Sequence, residues 1–422
     1  MEKFNYIIVG NSAAGASALE AIRRIDEKGS IAIISDENYP VYSRCLISYY
    51  LSGEIAEEGL LFKPLDFYEE MRVKPMLGKK AIRVVPLRNE VVLEDGECLA
   101  YNRLLLAIGA SPEKLGIKGE DSEGAHVMRT IADVKKIISS YETTDTAVIV
   151  GGGLVGMKAA YGLNRQGLKV EVIDIANWIL PQMIDLEAAN ILRDRLEEHG
   201  IAVRTGLSVE EMVEENGRVR AVRLSNGDFV PCQMVMIAKG VNPNIELARS
   251  SGIKISRGIL TDEMMRTNIE NIFAAGDVAE TVDLLRGERV INALWPNAVS
   301  QGRVAGKNMA GREVKYNGSI SMNSISLYDL NIISFGVVNP TGDEYETIVE
   351  HTPLNYRKLV VKDGRIVGMI NLGDIRNSGA TLSLSLKGEK LSQIGGVLMG
   401  RGIFRDRKVL SIQGKQRMSN YC

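Results

Sequence analysis

Cysteine is nearly absent from this chain: four occur in 422 residues, at Cys45, Cys98, Cys232 and Cys422, all far apart. They form no CxxC pair and no other metal-ligand spacing, which excludes a zinc site or an iron–sulfur cluster built from the chain itself, so no metal is expected. Long apolar runs are missing as well; none approaches the roughly 20 residues that a membrane span needs. Met1 leads almost at once into the strand-like run Phe4-Asn5-Tyr6-Ile7-Ile8-Val9. No basic segment, apolar stretch or cleavage site precedes that run, so a cytoplasmic location and no membrane partner are the expectation. The excess of either charge is small, with a net of −2 and a pI near 6.1. Nothing therefore draws the chain as a whole to nucleic acid or anionic lipid, and a charged partner must meet a local patch.

Apolar residues make up 45% of the sequence and charged residues 25%, enough chain and enough hydrophobicity for two or three domains with separate cores. A strand at residues 5–9 is followed by Gly10-Asn11-Ser12-Ala13-Ala14-Gly15, a helical stretch to about Ile25, and a second strand at Ile31-Ala32-Ile33-Ile34 that ends at Ser35-Asp36. The same grammar returns at Ala147-Val148-Ile149-Val150, Gly151-Gly152-Gly153-Leu154-Val155-Gly156, a helix to about Arg165, and Lys169-Val170-Glu171-Val172-Ile173 ending at Asp174. A small-residue turn between strand and helix lets backbone N–H groups approach a pyrophosphate, toward which the helix N-terminus presents about half a positive charge. The expected contacts are Gly10, Ser12, Ala13, Ala14 and Gly15 in the first copy. In the second they are Gly151, Gly153, Leu154, Val155 and Gly156. Asp36 and Asp174 stand where a carboxylate accepts hydrogen bonds from a ribose. Ile175-Ala176-Asn177-Trp178 offers no Arg or Lys to a 2′-phosphate, and Asp174 repels one, so the second copy reads as a site for NADH rather than NADPH.

Four further strings stand in a telling order: Leu104-Leu105-Leu106-Ala107-Ile108-Gly109-Ala110-Ser111-Pro112, Ile237-Ala238-Lys239-Gly240-Val241-Asn242-Pro243-Asn244, Asn268-Ile269-Glu270-Asn271-Ile272-Phe273-Ala274-Ala275-Gly276-Asp277-Val278, and the helix that opens at Pro296 or Asn297 after Trp295. With the two glycine turns, they make the chain resemble the FAD-dependent pyridine nucleotide–disulfide oxidoreductase superfamily over essentially its whole length. The nearest branches are the rubredoxin and ferredoxin reductases, the flavin modules of nitrite reductases, and the NADH oxidases and coenzyme A disulfide reductases. The resemblance implies an α/β fold with two Rossmann-like dinucleotide-binding domains. The FAD domain is discontinuous, at 1–112 and 245–325, and the NAD domain is inserted at 113–244. A C-terminal α+β interface domain at 326–422 implies a homodimer. Ala107, Gly109 and Gly276 then belong to the FAD site, Gly240 to the NAD site, and Asp277 accepts a hydrogen bond from the ribityl chain. The helix after Trp295 points at the flavin pyrimidine edge, and Trp295 is either a flavin contact or core. Arg44 is assigned to FAD phosphates, which a guanidinium matches bidentately.

The family divides by the electron acceptor, and Tyr42-Ser43-Arg44-Cys45-Leu46-Ile47-Ser48-Tyr49-Tyr50 carries features of two branches. One cysteine ahead of a Tyr-Tyr pair resembles the coenzyme A disulfide reductases and NADH oxidases, where Cys45 would act as a thiolate at the flavin. Tyr-Ser-Arg and the Trp-x-Asn-Ala-x-x-Gln-Gly helix resemble the rubredoxin and ferredoxin reductases, which have proline at the position of Cys45. Cys45 is thus either catalytic or a small residue packing beneath the flavin. Lys158 replaces a glutamate common in relatives and receives no role. The last 36 residues hold eight Lys and Arg against Glu389 and Asp406, an excess of six positive charges suited to an acidic partner. The expectation is transfer of electrons from NADH through FAD to a ferredoxin- or rubredoxin-type iron–sulfur carrier. The alternative is a thiol-dependent coenzyme A disulfide or persulfide reductase, or an NADH oxidase, using Cys45.

Overall fold

A computed structural model describes residues 1–352 and 355–392, which divide into two compact units. The first holds Met1–Ile173, Leu207–Asp283 and Gly287–Ser319. Its main sheet runs Lys74–Leu77, Ile31–Ser35, Glu2–Val9 and Cys98–Leu106, all parallel. Ile7, Ile8 and Ile31 to Ile34 are almost completely buried, as a parallel strand covered on both faces requires. The other edge of Cys98–Leu106 is shared. Glu90–Leu93 takes its first residues antiparallel, and Ile272–Ala274 takes Leu104 to Leu106 in parallel. The chain therefore returns to its first sheet more than 160 residues later, with Phe273 fully buried there.

Between these visits lies a second parallel sheet in which Thr146–Val150 is flanked by Lys169–Asp174 and Met234–Ile237, with Ala125–His126 beyond the latter. An antiparallel sheet of Val209–Glu215, Arg218–Leu224 and Phe229–Pro231 packs Met212, Val222 and Leu224 against it. The segments that leave and re-enter the first sheet meet: Ala110–Pro112 pairs antiparallel with Val241–Pro243, Ser111 opposite Asn242. Asn244 Nδ2 donates to the Ile108 carbonyl at 2.8 Å. No described helix is long and apolar enough to cross a membrane.

The second unit holds Asp174–Gly206, Leu284–Arg286 and the described residues from Ile320. Its antiparallel sheet has the order Met322–Leu327, Leu330–Gly336, Arg365–Leu372, Asn355–Lys362, Tyr345–Thr352, with the helix Ser378–Leu386 against it. Asp363 and Gly364, both at positive φ of 52° and 72°, turn the hairpin between Lys362 and Arg365, as a two-residue hairpin loop demands. Asp185 ties this sheet to the helix Leu186–Glu198: it caps the helix by accepting from Ala188 N at 3.1 Å, and it accepts from Tyr356 Oη at 2.6 Å and Lys358 Nζ at 2.8 Å. Burial, followed by the bond to Asp185, pushes the Tyr356 phenol well above its ordinary pKa. A neutral donor to a buried carboxylate contributes about 2 kcal/mol. Tyr356→Phe should lower the unfolding free energy by that amount in a denaturant titration, with flavin binding unchanged.

Candidate flavin and nicotinamide site

The two glycine turns repeat one geometry. Gly10 N donates to the Ile34 carbonyl and Gly151 N to that of Ile173, both at 2.8 Å. Ala107 N donates to Val9 O at 2.7 Å, and Ala238 N to Val150 O at 2.8 Å. Gly10 and Gly151 have φ of +118° and +111°, and a Cβ on them would stand 2.0 Å from the Ala107 carbonyl oxygen and 2.5 Å from that of Ala238. At Gly15 and Gly156 a Cβ would lie 1.9 Å from the carbonyl oxygens of Gly10 and Gly151. Each turn is thus closed on the side of its own sheet. Gly153, in contrast, has nothing within 4 Å of where its Cβ would be.

The helices that leave these turns, Ala13–Arg23 and Leu154–Arg165, begin at Ser12 and Gly153 with no side-chain cap and no acid in the first turn. The helix Trp295–Met309 begins in the same way. Two other long helices are capped: Thr130 and Asp133 form a reciprocal capping box for Ile131–Ser139, and Asp185 caps Leu186–Glu198. At the three uncapped starts no side chain covers the helix end, and the residues of the two glycine turns are small, an arrangement that suits a pyrophosphate. Asp36 is exposed immediately after Ile31–Ser35, and Asp174 ends its strand with Oδ1 accepting from Ala176 N at 2.8 Å. Val155 is 44% exposed, and Gly240 takes a φ of +143°. The residues present fit two dinucleotides.

Helix Trp295–Met309 starts one or two residues before the Pro296 or Asn297 that the sequence suggests, with proline in its first turn. It packs on Ala13–Arg23 through a ridge of small residues, since a Cβ on Gly302 or Gly306 would stand 2.2 Å from Ala14 O or 2.4 Å from Ala18 O. Gln301 Oε1 accepts from Gly276 N at 2.8 Å, so this helix also fixes the Gly276-Asp277 turn. Trp295 is half-buried against the core, edge-on to Phe62 with ring centroids 5.0 Å apart.

Cys45 opens to solvent in the turn Arg44–Leu46, beside Asp277 and Arg129. The protein packed around it raises the thiol pKa, the Asp277 carboxylate raises it further, and Arg129 opposes them. Arg44 is ion-paired with Glu37 and donates through Nη1 to the Arg129 carbonyl at 2.8 Å. These two bonds leave other N–H donors of the Arg44 guanidinium for a phosphate. Lys158 lies 4.5 Å above the Tyr49 ring, and its Nζ donates to Tyr49 Oη at 3.2 Å. The sequence reading did not single out Ala238 or Arg129. Ala238-Lys239-Gly240 repeats Ala107-Ile108-Gly109, a sign that was available, whereas Arg129 shows only as an arginine just ahead of a helix cap. The basic stretch from Arg401 and Cys422 lie outside the described residues.

The family model for pyridine nucleotide-disulphide oxidoreductases matches residues 4–302, and that for the rubredoxin NAD+ reductase C-terminal domain matches residues 322–388. The NADH-dependent phenylglyoxylate dehydrogenase subunit epsilon of Aromatoleum evansii is 31% identical over 97% of this chain and 98% of its own length. An NADH oxidase of Methanocaldococcus jannaschii is 35% identical over 78% of this chain and 75% of its own. The solved NAD-dependent persulfide reductase from A. fulgidus superposes with a TM-score of 0.88 at 29% identity, covering 93% of this chain and 78% of that one.

Proposed function

The chain belongs to the pyridine nucleotide-disulphide oxidoreductase family and is an NAD(P)H-dependent flavin oxidoreductase; within that activity we propose NADH as the donor and an iron–sulfur protein of ferredoxin or rubredoxin type as the acceptor. Bound FAD supplies hydride acceptance from the nicotinamide and onward release of single electrons. Gly10, Ser12, Ala13, Ala14 and Gly15 hold its pyrophosphate, Asp36 its ribose and Asp277 its ribityl chain, with Ala107, Gly109 and Gly276 shaping the path. Arg44 meets a phosphate of FAD. The uncapped start of Trp295–Met309 places positive potential where reduced flavin gathers negative charge. Gly151, Gly153, Leu154, Val155, Gly156 and Gly240 hold the nicotinamide dinucleotide, with Asp174 on its ribose. The assigned domains are 1–112 with 245–325 for FAD and 113–244 for NAD, supported by the return of Ile272–Ala274 to the first sheet. Residues 326–422 form the interface domain of a homodimer.

The environment of Cys45 carries the choice of acceptor. The surrounding protein and the Asp277 carboxylate both shift the Cys45 thiol toward its protonated form, against the thiolate that a nucleophile needs. Electron transfer to an iron–sulfur carrier needs no thiolate. Cys45→Ser should therefore keep NADH-driven ferredoxin or rubredoxin reduction within about twofold of wild type in a stopped-flow assay. The second reading, a coenzyme A disulfide or persulfide reductase or an NADH oxidase, is favoured by the openness of Cys45 to solvent beside a guanidinium. Turnover with coenzyme A disulfide that disappears in Cys45→Ser would establish it.

A further inference from the structure

We propose that Lys158 is a specificity-determining residue of the nicotinamide site: its ammonium, held on Tyr49 where the two nucleotide-binding folds meet, makes the site prefer the reduced dinucleotide over the oxidised one. This rests on the reading that the second glycine turn holds the nicotinamide dinucleotide and that FAD lies beside Cys45 and Asp277. Lys158 stands one turn inside the helix Leu154–Arg165. Side chains of a helix lean toward its N-terminus, so the ammonium is carried toward the end assigned to the pyrophosphate. Its Nζ lies 4.5 Å from the centre of the Tyr49 ring and 5.9 Å from that of Tyr161, and it donates to Tyr49 Oη at 3.2 Å. Tyr49 belongs to the helix Ile47–Leu51, which follows directly on the turn that carries Cys45.

The two folds are in close contact here. A Cβ on Gly162 would be 3.2 Å from Leu51 Cδ2, and Tyr141 Oη donates to the Leu51 carbonyl at 2.7 Å. Lys158 and Tyr49 are both half-buried, which gives the ammonium a fixed place. Aromatic rings attract a cation through their quadrupole and leave its charge in place. A dinucleotide whose pyrophosphate lies at Leu154 and whose reacting ring meets a flavin beside Cys45 brings that ring near this ammonium. The reduced and oxidised forms are nearly alike in outline, but the oxidised ring carries a positive charge. That charge meets a like charge in a half-buried site, and the repulsion falls on the oxidised form alone. A side chain that only braced the two helices would act on both forms equally.

The test is calorimetric titration of the FAD-loaded protein, with its flavin oxidised, in wild type, Lys158→Met, Lys158→Arg, Lys158→Glu and Gly153→Ala. The two titrants are NAD+ and tetrahydro-NADH, whose ring is uncharged and has no hydride to give, and the quantity read is the ratio of their dissociation constants. In Lys158→Met, NAD+ should bind about tenfold more tightly relative to tetrahydro-NADH than it does in the wild type, and in Lys158→Glu more tightly again. Lys158→Arg, which keeps the charge, should keep the wild-type ratio, and added salt should narrow the difference between the wild type and Lys158→Met. If Lys158→Met and Lys158→Glu both keep the wild-type ratio, even with the two constants moving together, the role of Lys158 is overturned; weaker binding of both titrants to Gly153→Ala then leaves the nicotinamide reading standing. If neither Gly153→Ala nor any Lys158 variant changes either constant, both fall.

Discussion

Valine at Gly156 should abolish bleaching of the flavin by NADH while leaving a yellow protein that dithionite still reduces. The first atom of any side chain at this position lies 1.9 Å from the Gly151 carbonyl oxygen and 3.3 Å from the Ala238 Cβ. The nearer obstacle is backbone, so no rotamer change relieves it, and the turn must open. Opening it displaces the N–H groups at the start of Leu154–Arg165, and a displacement of about 1 Å at such a site costs on the order of a hundredfold. The first glycine turn is untouched, since Gly156 lies in the helix Leu154–Arg165 that follows Thr146–Val150 of the second parallel sheet. Anaerobic titration followed at the flavin absorbance reads the result directly. Gly153→Ala is the control: its added methyl meets no protein atom within 4 Å, so the turn survives and only the space assigned to the pyrophosphate shrinks. It should raise the apparent Kd for NADH without altering FAD content. Retained bleaching in Gly156→Val would remove the dinucleotide from this turn.

The two βαβ units were legible because their requirements are steric and local. Gly10, Gly15, Gly151 and Gly156 each sit where a Cβ would strike a backbone carbonyl, and only glycine satisfies that condition. Burial on both faces of a parallel sheet likewise leaves a plain apolar run, as at Ile31 to Ile34. What stayed hidden depends on distant partners. The pairing of Ala110–Pro112 with Val241–Pro243 joins residues some 130 apart through backbone bonds that any sequence can make. Of the three strands between Val209 and Pro231, Arg218–Leu224 alternates charged and apolar residues, but Val209–Glu215 is dominated by acids whose partners only the fold supplies, as with Glu211 paired to Lys118 and Arg223. Arg129 was missed for a related reason. An arginine ahead of a capping box is common on a solvated surface, and only the tertiary fold brings Asp277 to 2.9 Å from it. Cys45 was found, but its chemistry was not, since composition does not reveal that its charged neighbours are Asp277 and Arg129.

Asp174→Ala combined with Ile175→Arg should turn the nucleotide preference from NADH toward NADPH by roughly a hundredfold in the ratio of kcat/KM values. The argument starts from charge: two unit charges 4 to 5 Å apart repel by about 3 to 4 kcal/mol at an effective dielectric near 20, and solvent around an open strand end removes part of that. A net gain of about 2.8 kcal/mol, from lost repulsion and a new guanidinium–phosphate contact, is a factor of about a hundred. The stability cost is small on one side, because Ile175 is 75% exposed and has little burial to lose. Asp174 is costlier, since its Oδ1 accepts from Ala176 N at 2.8 Å, and losing that bond removes about 1 kcal/mol. Asp174→Asn alone keeps an acceptor for Ala176 while removing the charge. It should bring the two nucleotides closer in kcat/KM without favouring NADPH, which separates repulsion from attraction. Steady-state kinetics with either nucleotide and one fixed acceptor measures both variants. An unchanged preference in the double variant would mean that the 2′-position lies elsewhere, and the assignment of Asp174 to the ribose would fail with it.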